Sequence, residues 1–69
     1  MQTITKAMER VGRVADRVGV WALANEAGLP LSTVRSYRDR GWTAEPLVAC
    51  EKLIAAAERL EARRARAGG

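Results

Sequence analysis

The chain has 69 residues, with 12 basic against 8 acidic side chains, a formal net charge of +4, no histidine and one cysteine. That is one small domain, whose single core rarely leaves more than roughly 3–5 kcal/mol of net stability. With Cys50 alone no intramolecular disulfide can form, and without histidine there is neither a soft-ligand zinc set nor a Ser–His or Cys–His pair for catalysis.

No GxxxxGK phosphate loop occurs, so the expectation is a protein that is not an enzyme and needs no cofactor. The longest run free of charge and proline is Val18–Asn25, far below the roughly 20 residues of a membrane span. The opening MQTITKAMER lacks a signal-peptide apolar region, which predicts a cytoplasmic protein without membrane contact. Oligomerisation is the aid to stability still open to so short a chain, so a homodimer is expected.

In chain order, Ile4, Met8, Val11, Ala15 and Val18 recur at steps of three and four and predict a helix from Thr3 to Val18. Arg10, Arg13 and Arg17 fall on its other side, Thr3 or Thr5 offers a cap, and Gly12 inside it costs ~1 kcal/mol relative to Ala. Gly19 is a stop, after which Val20 to Ala27 reads as a short helix with Leu23, Ala24 and Ala27 inward, ended by Gly28. A third helix is predicted from Leu29-Pro30-Leu31-Ser32 to Arg40, with Pro30 in the first turn or Ser32 as cap, Val34 and Tyr37 buried, and Gly41 as stop. Trp42 to Glu45 connects, with Thr43 a candidate cap and Trp42 expected to close the core between the third and fourth helices. The last helix starts at Glu45 or Pro46 and runs to Arg64 or beyond, with Leu47, Cys50, Leu53, Ile54, Ala57 and Leu60 apolar. Cys50 reads as a small buried hydrophobe. Nothing alternates with the period of a strand, so the fold class is all-α, a small four-helix bundle with a long C-terminal helix.

Positive charge is concentrated in two places. Arg35, Arg38 and Arg40 stand against Asp39 in residues 30–42, and Arg63, Arg64 and Arg66 against Glu61 in residues 61–69. One of these stretches is a predicted helix, a pattern that suits a polyanion.

The stretch VWALANEAGLPLSTVRSYRD (20–39) reads as a helix of about two turns, a glycine-marked turn and a second helix with a hydroxyl-rich start. That is the layout of a helix-turn-helix, whose second helix lies in the DNA major groove. With Gly28 as the turn glycine, Leu23, Ala24, Ala27, Leu29, Val34 and Tyr37 match the small or apolar positions of that pattern, and GLPLSTVRSY resembles the core of λ-repressor/Cro-like (XRE-type) regulators. The downstream YRDRGWTAEPLVACEKLIAAAERL is similar to the same family's continuation, so the resemblance covers about Val11–Leu60. STVRSY followed by Gly41 also resembles MerR/excisionase-like winged helices, but those begin with the helix-turn-helix, whereas a full amphipathic helix precedes it here.

Rotation at ~100° per residue turns Ser32, Arg35, Ser36 and Asp39 outward when Val34 and Tyr37 face in, with Leu31 at the groove-facing end. Arg35 is the strongest candidate base reader, because its fork can take guanine O6 and N7 together for ~1–3 kcal/mol of discrimination. Ser32 and Ser36 are candidates for base or phosphate contact and Leu31 for a thymine methyl; the resemblance implies the same four positions. Arg38, Arg40 and Thr33 are candidates for the DNA backbone. Trp21 is either a backbone donor through its indole N–H or a packing residue against the first or fourth helix. Asp39 opposes phosphate unless it accepts from cytosine N4 or pairs with Arg35. Leu53, Ala56 and Leu60, with Ala49, form a second narrow stripe expected to be the dimer surface.

These readings predict a helix-turn-helix DNA-binding domain over 1–62, its motif at about 20–40, and a basic frayed tail over 63–69. The resemblance implies a nucleoid-associated, sequence-specific repressor or activator of phage or mobile-element type, which binds a partly palindromic operator in double-stranded DNA as a homodimer. Alternatives are a protein-binding adaptor on the same scaffold, directed at RNA polymerase or a larger regulator, and an excisionase-like architectural DNA binder.

Overall fold

The computed structural model describes residues 4–43 and 47–68, and every element among them is helical: α1 (Ile4–Val18), α2 (Val20–Ala27), α3 (Leu31–Asp39) and α4 (Leu47–Gly68). The expected cap Thr3 and the expected start of the last helix at Glu45 or Pro46 lie outside the described residues.

All four helices supply the core. Met8, Val11, Val14 and Ala15 come from α1, Leu23 and Ala24 from α2, Val34 and Tyr37 from α3, and Cys50, Leu53, Ala56 and Ala57 from α4. The sets of α1, α3 and α4 recur at three- and four-residue steps, which is how a helix lines up one buried face, while the two from α2 are adjacent. In α1 the buried stripe differs from expectation by one turn: Val14 is buried, while Val18, the last residue before the chain turns at Gly19, is 38% exposed. α4 lies against both α1 and α2, α1 also meets α2, and α3 packs on α2.

This arrangement gives α4 two neighbours, so it needs an apolar surface wide enough for both. Leu53 and Ala56 are therefore fully buried within the chain itself, and Leu60 is partly buried on the same core. The expectation of a dimer stripe is corrected for Leu53 and Ala56, which are fully buried inside the chain and present nothing to a partner helix, while Leu60 keeps part of its surface exposed. Val48, by contrast, is exposed. The helix is also continuous through residues 63–68, where a frayed tail was expected.

Two glycines have structural tasks. A Cβ on Gly12 would sit 2.8 Å from Trp42 Cδ1 and 3.1 Å from its Nε1, so the missing side chain lets the indole lie against α1. Trp42 thus closes the core onto the first helix, whereas the sequence suggested the third and fourth. Its backbone is left-handed, with φ 61, and its N–H donates to the Tyr37 carbonyl at 2.8 Å. Together with the Gly41 N–H donating to the Arg38 carbonyl at 3.0 Å, this is a Schellman stop at the end of α3. Gly28, the second glycine, shapes the turn described next.

Candidate nucleic-acid interface

The unit formed by α2, its turn and α3 is built from local chemistry. α2 ends because Gly28 adopts the left-handed conformation, φ 70 and ψ 30, which glycine enters without a Cβ penalty. The reversal is fixed by the Leu29 N–H donating to the Ala24 carbonyl at 3.0 Å and the Gly28 N–H to the Asn25 carbonyl at 3.3 Å. Leu29 then packs on the core, and Pro30 stands extended at the N-cap of α3 with ψ 143. Its carbonyl accepts from the Thr33 N–H at 3.0 Å and the Val34 N–H at 3.3 Å. No side chain caps α3, so the expected capping role of Ser32 is not taken up. Ser32 lies inside the first turn and is exposed.

Val34 and Tyr37 are fully buried and fix the orientation of α3. Tyr37 is anchored at its far end, where Cys50 Sγ lies 3.6 Å from the tyrosine hydroxyl and 3.6 Å from the Thr43 carbonyl oxygen. Burial, then the contact with Cys50, pushes the phenol up to about 12, so it stays protonated at any physiological pH. Cys50 is buried, as expected of a small hydrophobe.

With that face inward, Ser32, Arg35, Ser36, Arg38 and Asp39 are all exposed. Arg35 makes no ion pair among the described residues. Asp39 is drawn to its neighbour: Arg38 Nε lies 3.6 Å from Asp39 Oδ1, and Arg35 is not involved. Arg40 lies back along its own helix, with Nε donating to the Ser36 carbonyl at 3.3 Å and the guanidinium 5.0 Å above the Tyr37 ring centre. Leu31 and Thr33 are partly buried, and Leu31 packs against the core. That leaves Leu31 less surface to offer than the other three candidate readers. Trp21 is 69% exposed, so the packing role considered for it is not the one it has.

The feature that sequence reasoning missed is a clasp between α2 and α4. Both carboxylate oxygens of Glu26 are occupied, Oε2 by Arg59 Nε at 2.9 Å and Oε1 by Arg63 Nη2 at 2.6 Å. Arg59 Nη2 also donates to the Glu26 carbonyl at 3.0 Å. Hydrogen bonds from Arg59 first and Arg63 second hold this carboxyl below its ordinary value of 4.5. Arg63, assigned by sequence to a loose tail, is one jaw of the clasp. Glu26 and Arg59 stand 33 residues apart, and no local pattern marks a pairing of that span. On α1, Arg10 Nε pairs with Glu61 Oε1, a pairing equally invisible in the sequence.

The outer face of α3 therefore presents hydrogen-bond donors of two kinds, a planar guanidinium fork and hydroxyls. No group of acidic, cysteine or histidine side chains among the described residues is placed to hold a metal ion. No described helix is long and apolar enough to cross a membrane. No protein-family model matches the chain, and neither a curated protein nor a solved structure matches it.

Proposed function

We propose that this chain is a sequence-specific DNA-binding regulator of the helix-turn-helix type, with α3 as the helix that enters the major groove. The observation that carries the reading is the pairing of a rigid turn with an uncommitted outer face. α2 and α3 are joined through a left-handed Gly28 and locked by Val34 and Tyr37, and the opposite side of α3 offers Ser32, Arg35 and Ser36 exposed, with Arg35 outside any ion pair among the described residues. A helix so held reads base edges through its first turns, and an arginine there discriminates guanine through a bidentate pair. Leu31 contributes at most its exposed edge. Arg38, Thr33 and Trp21 serve the phosphate backbone, as does Arg40 once it swings off the Tyr37 ring. Such contacts set register and affinity without reading sequence.

In this reading two copies bind a partly palindromic site about one DNA turn apart, and occupancy of the site represses or activates transcription. A protein partner such as RNA polymerase could act together with this occupancy. The exposed indole of Trp21 favours a second reading, a protein-binding adaptor on the same scaffold, because such an anchor is common at protein interfaces.

Selection of sites from a random DNA pool at moderate salt separates the two. Enrichment of a two-fold-symmetric motif, lost in Arg35→Ala, supports the regulator and yields the half-site spacing. Binding without enrichment that fades smoothly as salt rises reduces the basic face to backbone contact. Absence of binding removes the regulator and leaves the adaptor.

A further inference from the structure

The cations of α1 form a row that the reading above does not use. Lys6, Arg10, Arg13 and Arg17 follow one another at intervals of four, three and four. At ~100° and ~1.5 Å per residue they fall within about 60° of each other round the axis, over a length of about 16 Å. Since Met8, Val11, Val14 and Ala15 face the core, this row is the outward side of the helix; Lys6, Arg13 and Arg17 are exposed and Arg10 is partly so.

Like charges three and four residues apart repel, so an anion laid along the row would relieve it. The acids of α1, Glu9 and Asp16, flank the row on one side, Glu9 three residues from Lys6 and four from Arg13, and Asp16 three from Arg13. Of the acids on α4, Glu61 is taken by Arg10, and Glu58 shares a shallow depression with Lys6, Glu9, Arg10 and Arg13. Arg13 and Arg17 make no ion pair among the described residues. Arg64 and Glu61 of α4 line a second depression with Arg17, so positive charge continues there beside the one carboxylate that Arg10 holds. Gly12, where Trp42 and the end of α3 meet α1, is about 130° round the axis from the row. The row is thus a surface apart from the outer face of α3, which packs on α2.

We propose that this row is a second DNA-backbone surface, by which one chain holds a second duplex segment while α3 occupies the first. Its ammonium and guanidinium groups match phosphates by charge, and contacts of that kind set affinity without reading sequence. The class of partner rests on the DNA reading above, but the row does not depend on Arg35 or the other readers of α3.

The test is capture of a free fluorescent duplex by an immobilised one, with the protein as the only link, for wild type, an Arg13→Gln/Arg17→Gln double variant and Arg35→Ala. Circular dichroism checks that each variant is folded. Wild type is expected to link the duplexes. The double variant is expected to keep its site preference on a single duplex, to lose most of the linking, and to show a log–log salt slope of linking shallower by about 2, from ~0.9 per phosphate contact removed. Failure of wild type to link duplexes overturns the proposal, as does undiminished linking by the double variant. Loss of binding to phosphatidylglycerol vesicles with linking retained would make the row a lipid surface, and also overturns it. The function proposed above fails separately, if Arg35→Ala leaves sequence preference unchanged while the double variant abolishes duplex binding.

Discussion

Arg59 and Arg63 on α4 and Arg35 on α3 are the same residue type put to opposite uses. The α4 pair closes on both oxygens of Glu26 and ties the second helix to the fourth. Arg35 stands exposed on a helix whose other side is fully buried, and it meets no carboxylate among the described residues. Net charge counts both kinds alike. What separates a structural arginine from one available to a ligand is whether the fold brings a carboxylate to it, and that is a property of helix packing.

The contrast between the scaffold and the outer face of α3 can be broken most severely from the scaffold side. Leu53→Ala removes a fully buried side chain and is expected to cost ~2–5 kcal/mol, enough to unfold much of a domain this small. Chemical denaturation checks it. A folded variant with only a weakened self-association would return Leu53 to the role of a dimer contact.

On the α3 side, Arg35→Ala is expected to leave the circular dichroism melt unchanged while costing ~1–3 kcal/mol of discrimination between the selected site and a site changed at one guanine. Titration of the two duplexes at fixed salt reads the difference directly. Arg38→Gln, in contrast, should weaken both duplexes equally.

Gly12 and Trp42 give a sharper, smaller test of how the scaffold holds the end of α3. Ala normally gains ~1 kcal/mol over Gly within a helix, but here the added methyl meets the indole at 2.8 Å. Gly12→Ala is therefore expected to destabilise the wild-type chain and to stabilise a Trp42→Ala background. A double-mutant cycle in urea reads the coupling, and additivity would show that the indole yields without cost.

The smallest expected effect is at the clasp. The Glu26 carboxyl is held below 4.5 in the folded chain, so its contribution is fully present above the unfolded value and disappears as pH falls through the folded one. Glu26→Gln should lower stability slightly at neutral pH and make no difference in strong acid. Denaturation midpoints at the two pH values test this, and equal destabilisation at both would mean that the ion pairs contribute nothing.

The sequence made legible those parts of the fold that local chemistry determines. Gly19, Gly28 and Gly41 end helices where expected, and Val34 and Tyr37 are inward because only a helix of that phase buries both. Periodicity was less able to choose between Val14 and Val18, which lie one turn apart on the same side of α1. It also carried no information on how many neighbours a wide apolar face has. Leu53 and Ala56 suggested a partner helix because the stripe exceeds one contact, yet α1 and α2 together cover it within a single chain. On the candidate interface, the outward phase of Ser32, Arg35 and Ser36 could be read from the spacing of Val34 and Tyr37. The pairing of Asp39 with Arg38, the draping of Arg40 over Tyr37 and the exposure of Trp21 depend on rotamers and on distant surfaces that the order of residues does not encode.

The two tryptophans also divide the molecule optically. Trp21 stands in solvent at the start of α2, while Trp42 is pressed against α1 beyond the end of α3. The first should emit to the red and be open to collisional quenchers, the second should emit to the blue and be shielded. In a Trp21→Phe chain the remaining fluorophore reports whether the end of α3 is seated on α1. In a Trp42→Phe chain the remaining one watches whatever approaches α2. The protein thus carries separate native probes of its folding and of its encounters, with no label to attach.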